Sequence, residues 1–205
     1  QSKAKPMSLT AAIYVITHDL YKSLHVKFAL ERLRESCDNL IVVVPNGAQD
    51  AAECALEGLD IDRIAETPSA AQSYLRGIYH GLALLRETID NYDAVLVTGS
   101  GVFGPLGEVP KAALDPASVG AGLFSSYWFD AKLGRNERET SYEGRIPFLD
   151  FASFSRELLS LPDFWAWVGS LERLTDSDDE FMMGPMALEQ VLTRNKLATN
   201  YPVDS

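Results

Sequence analysis

The sequence predicts an α/β fold: a mixed, mostly parallel sheet, Rossmann-like, flanked by helices. Three observations predict it. Apolar runs of strand length stand at Ala11–Thr17 (AAIYVIT), Leu40–Val44 (LIVVV) and Ala94–Val97 (AVLV), and such runs belong to strands buried on both faces. Amphipathic stretches of helical length lie between them. Strands alternating with helices as far as residue 98 make parallel neighbours joined by right-handed crossovers.

Ala11–Thr17 ends at Thr17-His18-Asp19, and Leu20 to Ser36 then reads as a helix. Leu20, Leu24 and Phe28 share one face of it, with Val26, Leu30 and Leu33 widening the stripe. Leu40–Val44 is stopped by Pro45-Asn46-Gly47, a turn sequence. A short helix near Asp50–Glu57 and a strand near Ile61–Ala65 follow. Ala70 to Ile89 is a long helix on the repeat Tyr74, Ile78, Leu82, Leu85, Ile89, and it delivers the chain to Ala94–Val97.

The second half is less regular. Val119–Ser125 and Phe148–Phe154 read as strands, with a polar, solvated loop over Asp130–Arg145 between them. That loop carries Lys132, Arg135, Arg138 and Arg145 among Glu137, Glu139 and Glu143. Leu158–Leu174 forms one or two helices, Asp176–Glu180 an acidic hinge, and a last helix starts at Gly184-Pro185, where proline suits the first turn. Residues 1–7 read as a tag or linker remnant and 8–205 as a single domain, open to being one unit of a longer protein.

With 46% apolar residues among 205, the chain can bury a sizeable core. Its 18 basic and 29 acidic residues leave a net charge of −11, which argues against a nucleic-acid partner or an anionic membrane surface. No run reaches the length of a membrane span, so direct membrane insertion is not expected. Cys37 and Cys54 make no disulfide framework and read as core or boundary thiols.

Open α/β sheets bind ligands just beyond the carboxyl ends of their strands. Thr17, His18 and Asp19 after the first strand, and Thr98, Gly99, Ser100 and Gly101 after Ala94–Val97, are therefore the candidate ligand-binding positions. His18-Asp19 has a plainer reading, a helix cap by Asp19; His25 and His80 sit in helical patterns and read as packing or surface residues. Asp150, in the apolar FLDFASF, is either an outer-face residue or a general base whose pKa burial raises. A hydroxyl flanked by glycines offers little charge to a divalent ion. The fallback is the acidic run with Asp176, Asp178 and Asp179, whose plainer reading is a solvated helix start. Trp165 and Trp167 could stack on a sugar, or simply fill a core.

From Tyr74 onward the chain resembles the rhamnan synthesis F family, polysaccharide-building proteins with a GT-A-like glycosyltransferase domain. The resemblance is carried by QSYLRGI, by Tyr92-Asp93-Ala94-Val95-Leu96, by Val102-Phe103-Gly104-Pro105-Leu106, and by FLDFASFSRELLSLPDFWAW. It covers residue 66 to about 200, and more weakly the first strand and helix. Three polar clusters of that family are replaced here: by Glu66 to Gln72, by Gly99-Ser100-Gly101, and by Ile146-Pro147-Phe148-Leu149. In GT-A enzymes an acidic Asp-x-Asp-like signature grips metal and donor diphosphate where this chain has Gly99-Ser100-Gly101.

The resemblance implies a nucleotide-sugar donor, for which Thr17, Asp19, Thr98–Gly101 and Arg145 are the candidate positions and Asp150 or His18 the candidate base, while the replaced acidic signature argues against a divalent metal. It also implies a glycan acceptor, and other domains or proteins of a cell-surface polysaccharide (rhamnan or lipopolysaccharide type) assembly system. The expected location is the cytoplasm, at the inner face of the membrane through such partners. Apolar positions match and polar clusters do not, the pattern of a fold kept while chemistry is lost. Three functions follow: an active, metal-independent transferase, with Arg145, Lys132 or Arg135 folding over Ser100; a degenerate domain that binds glycan or scaffolds a neighbour; or a nucleotide-binding α/β regulatory module sharing only the fold.

Overall fold

Alternation along the first strand sorts the whole molecule into two layers. In β1 (Thr10–Val15) and the residue after it, Ala11, Ile13 and Val15 face one apolar core while Ala12, Tyr14 and Ile16 face another. All six are buried, so β1 is a central strand with a helical layer on each side. The computed structural model describes residues 9–68, 73–101, 122–133, 140–174 and 182–197, with only the backbone course for 122–133, 140–148 and 182.

β1 is followed by a 3₁₀ turn (Leu20–Lys22), α1 (Leu24–Arg34), β2 (Asn39–Val44), α2 (Gln49–Ala55), β3 (Arg63–Glu66) and α3 (Tyr74–Leu85). A 3₁₀ segment (Arg86–Asn91) leads to β4 (Ala94–Gly99). Beyond residue 121 come β5 (Gly122–Leu133), β6 (Thr140–Ser155), α4 (Arg156–Leu159) and α5 (Pro162–Leu171). A π-helical turn (Met182–Met186) then runs into α6 (Ala187–Arg194).

The six strands form one sheet in the order β3-β2-β1-β4-β6-β5. β3, β2, β1 and β4 are parallel; β6 runs antiparallel to β4, and β5 antiparallel to β6. The expectation that the three apolar runs lie parallel and adjacent holds, with β1 between β2 and β4. From β1 the chain winds outward through β2 to β3, and α3 then carries it back to β4 on the other side of β1. Crossovers of one hand moving in opposite directions place their helices on opposite faces. Accordingly α1 and α2 cover the face with Tyr14, and α3 the face with Ile13 and Val15.

Close approach of α3 depends on two glycines. A Cβ on Gly77 would overlap Val15, and one on Gly81 would overlap Ile13. The carboxyl end of β1 is thereby held tightly under the N-terminal half of α3. Ser73 caps that helix, its Oγ accepting the Arg76 N–H at 3.3 Å. Ser155 does the same for α4 toward Leu158.

Three sequence expectations need correction. The helix predicted over Leu20–Ser36 is a 3₁₀ turn followed by α1, and its core stripe is Val26, Ala29, Leu30 and Leu33. Leu24 is 84% exposed and Phe28 also reaches solvent, so these two lie on the outer face of α1, while Leu20, in the 3₁₀ turn, packs half-buried against the core. The long helix expected to reach Ile89 is α-helical only to Leu85. The loop expected over Asp130–Arg145 is, where described, the two arms of the β5–β6 hairpin; strand pairing satisfies its backbone although its sequence lacks an apolar alternation. Residues 119–121 of the predicted strand lie outside the described residues, as does Asp176–Glu180 with its fallback ligands Asp176, Asp178 and Asp179.

Candidate functional site: the β1–β4 crevice

The strand order reverses direction between β1 and β4, and the chain ends leaving those two strands frame a crevice at the carboxyl edge of the sheet. Doubly wound sheets open at such a switch point because the connections on either side leave to opposite faces. Thr17 and His18 line it from β1, and Gly99 to Gly101 from β4.

Ser100 joins the two sides. Its Oγ accepts the backbone N–H of Thr17 at 2.9 Å and lies 3.2 Å from Thr17 Oγ1. Its own N–H donates to the Val15 carbonyl at 2.9 Å. Ser100 is 5% exposed, so this hydroxyl is engaged within the protein rather than presented to a ligand. His25, in the first turn of α1, brings Nε2 to 3.4 Å from the Ser100 carbonyl.

Gly99 is a glycine for a steric reason. A Cβ there would stand 2.5 Å from both Tyr74 Cε2 and the Val15 carbonyl oxygen, so no carboxylate can occupy this position. Gly101 differs: nothing lies within 4 Å of a Cβ built on it, and it is exposed. The Tyr74 ring that covers Gly99 is itself held by its OH, which donates to the Leu149 carbonyl at 2.9 Å. Desolvation first, and the nearby charge of Asp150 second, push the Tyr74 phenol well above its ordinary value.

Asp150 comes to the crevice through an irregularity in β6. Phe124 pairs with Ala152 but the next residue, Ser125, pairs with Phe148, leaving Leu149, Asp150 and Phe151 as extra residues on β6. Bulges of this kind bend a strand and re-aim side chains beside sites. On the other edge Thr98 pairs with Phe151, so Gly99 and Asp150 stand one residue beyond that pair. Asp150 is half-buried, and desolvation raises its carboxyl above the usual value of 3.8.

The remaining predicted positions divide. His18 is exposed at the mouth with φ 56°, in the left-handed region; a non-glycine residue there is uncommon, and strain of this kind clusters near functional sites. Asp19 precedes the 3₁₀ turn but makes no capping bond, and accepts the Tyr21 OH at 3.3 Å instead. Thr98 is 1% exposed and its Oγ1 has no hydrogen-bond partner among the described residues; it lies beneath the crevice rather than in it. Arg145 pairs with Trp128 in the hairpin arm that extends past the end of β4, roughly 15 Å further along β6 than Asp150 at ordinary strand rise. Thr17, Gly99, Ser100, Gly101, His18 and Asp150 are thus gathered at one edge.

Sequence reasoning missed His25 and Tyr74 as members of this site. The available signal was position alone: each opens a helix whose N-terminus meets the carboxyl edge of the sheet. Among the described residues no group of three or more His, Cys, Asp or Glu side chains is placed to hold a metal ion. Trp167 is core, its Nε1 donating to the Met183 and Gly184 carbonyls, and Trp165 is half-buried on the outer side of α5. Two positions of the Tyr-Asp strand motif are structural: Asp93 pairs with Arg156 at 3.0 Å, and the Tyr92 OH accepts from Asn39 at 2.8 Å.

No protein-family model matches the chain, and no curated protein matches it. Among solved structures it is similar to a protein assigned as a nucleotide-diphospho-sugar transferase from Desulfovibrio desulfuricans G20, at 12% identity and a TM-score of 0.56, over 94% of this chain and 78% of that one. It is also similar to 4-diphosphocytidyl-2C-methyl-D-erythritol synthase from Anaerococcus prevotii DSM 20548, at 14% identity and a TM-score of 0.53, over 85% and 83%. At these identities the likeness is one of fold: the chain has a nucleotide-diphospho-sugar transferase fold, GT-A-like. Among the described residues no helix is long and apolar enough to cross a membrane.

Proposed function

We propose that the chain is a GT-A-like domain of the rhamnan synthesis F type, acting in bacterial cell-surface polysaccharide synthesis on the cytoplasmic side. It binds a nucleotide sugar at the β1–β4 crevice without a divalent ion, and transfers sugar poorly or not at all. The observation that carries this reading is the engagement of Ser100 by Thr17, beside a Gly99 that has no room for a side chain. The place where a GT-A donor site needs an acidic metal grip is closed by an internal hydrogen bond.

Transfer needs a clamp on the leaving diphosphate, a base near the acceptor hydroxyl, and order enough to align them. Asp150 can serve as base, because burial raises its proton affinity and Tyr74 stands within electrostatic reach. The clamp is what the crevice lacks. Removing one such electrostatic element costs ~3–4 kcal/mol of barrier. The cation that could replace it is Arg145, on the hairpin that passes the crevice.

The test is calorimetry against a panel of nucleotide sugars with and without Mn²⁺, followed by donor turnover. The expected outcome is binding indifferent to Mn²⁺ and little turnover. Robust transfer by the wild type that Arg145→Ala abolishes would establish an active metal-independent enzyme instead. Absence of binding by every donor would sink the nucleotide-sugar reading itself.

A further inference from the structure

A second concavity lies away from the crevice, on the outer side of the helical layer. It is a groove of about 440 Å³ between α3 and α5. Tyr79 and Ala83, four apart on one face of α3, line it from one side, with Arg86 at the start of the 3₁₀ segment that follows. Trp165 and Gly169, four apart on one face of α5, line it from the other side, with Arg173 in the turn just past that helix. Arg86, just past the end of α3, is roughly 18 Å from Tyr74 along the helix direction, at the rise of a helix.

The groove holds its ring and its cations ready. Trp165 Nε1 donates to the Leu159 carbonyl at 2.7 Å, and Phe164 meets its ring edge-on at 5.6 Å, so the indole is fixed. The Arg86 guanidinium stands over that ring, 5.1 Å from its centroid. This contact uses the cation's charge and leaves its N–H donors available to an anion. Arg86 and Arg173 are exposed, and neither makes an ion pair among the described residues. Glu172 stands near Tyr79, whose phenol is raised by desolvation first and by the Glu172 charge second. In a chain of net charge −11, two guanidinium groups and one carboxylate make a locally cationic groove.

The centre of the groove is kept low by Gly169. It occupies a helical position in the last turn of α5, where alanine would suit the helix better. Nothing lies within 4 Å of a Cβ built on it, so packing does not require its absence. The glycine leaves open space beside the indole.

We propose that this groove binds an acidic saccharide, a pyranose carrying a carboxylate within a glycan chain. The Arg86 and Arg173 guanidinium groups take the carboxylate, and the ring packs over Gly169 against the part of the Trp165 indole that lines the groove and that Arg86 leaves uncovered. An aromatic floor suits the C–H face of a sugar, while paired guanidinium donors select a carboxylate. The volume suits one or two sugar rings, and an open groove lets the chain continue at both ends. The proposal rests on the polysaccharide reading of the domain and adds to it a place that holds glycan apart from the donor crevice.

The test uses the full chain, ¹H–¹⁵N correlation spectra and trigalacturonate as probe, with maltotriose and inorganic phosphate as comparators. Trigalacturonate should shift the Trp165 indole signal saturably and bind at least about tenfold tighter than maltotriose. Arg86→Gln should weaken it by about tenfold, the loss of one charge-assisted contact, and leave maltotriose unchanged. Gly169→Leu, whose Cβ meets open space, should melt like the wild type and abolish the shift. No saturable shift, equal affinity for maltotriose, or displacement by equimolar phosphate would each overturn the assignment. Nucleotide-sugar shifts are read separately at the Thr17 and Gly99 amides. Loss of those with trigalacturonate binding intact removes the donor reading and keeps the groove; the reverse result removes the groove alone.

Discussion

The Ser100 hydroxyl accepts the Thr17 N–H at 2.9 Å across 83 residues of sequence, tying the end of β4 to the end of β1 on either side of the crevice. Ser100 is buried, so its removal leaves a donor with no replacement. Ser100→Ala should cost about 1–3 kcal/mol in urea unfolding, the range for a buried polar group left unpaired. The Thr17 amide should also lose protection in hydrogen exchange. An unchanged Thr17 exchange rate would show that the bond contributes nothing.

The two glycines flanking Ser100 should behave in opposite ways. Gly99→Ala places a methyl against the Tyr74 ring and the Val15 carbonyl, and overpacking of this kind costs typically ~1–3 kcal/mol. Gly101→Ala meets open space and should stay within about 0.5 kcal/mol of the wild type. Thermal unfolding of the pair decides it; equal effects would contradict the placement of Tyr74 over Gly99.

The face of α1 that meets the sheet is tested by one substitution on each side. Leu33 is fully buried among Tyr14, Val26 and Leu40 in the α1-side core, and Leu33→Ala should cost about 2–5 kcal/mol. Leu24 is 84% exposed, and Leu24→Ala should change stability by less than about 0.5 kcal/mol. Chemical denaturation with comparable slopes for both variants is the measurement.

Asp150 gives a pH dependence with a definite sign. Desolvation raises its folded pKa above the ordinary 3.8, so in the window between the two values the folded state binds more protons than the unfolded chain. Stability therefore falls as pH rises through that window, and the loss is fully present at neutral pH. Asp150→Asn should melt higher than the wild type at pH 7, with the difference shrinking as the pH is lowered toward 4. A variant that melts lower at pH 7 would mean that the carboxylate is held by a cation instead.

What the sequence determined by itself was local. Apolar runs at Ala11, Leu40 and Ala94 mark central strands because a strand buried on both faces has no polar side, and Pro45-Asn46-Gly47 ends one of them, with Gly47 at φ 76°. The chemistry at the switch point was half legible, since the carboxyl ends of β1 and β4 could be named before their positions were known. The inner face of α1 was not legible: Leu24 and Phe28 read as part of the same wide apolar stripe as Val26, Leu30 and Leu33, and only docking on the sheet selects which of them is buried. The parts of β5 and β6 that lie within Asp130–Arg145 escaped notice because partner strands, rather than an alternating pattern, satisfy their backbone. Tertiary structure alone brought Ser100 to Thr17, Tyr74 over Gly99, and Asp150 beside them through a bulge. Periodicity reports which way a residue faces within its own element, whereas these meetings depend on strand order and register, which the packing of the whole chain decides.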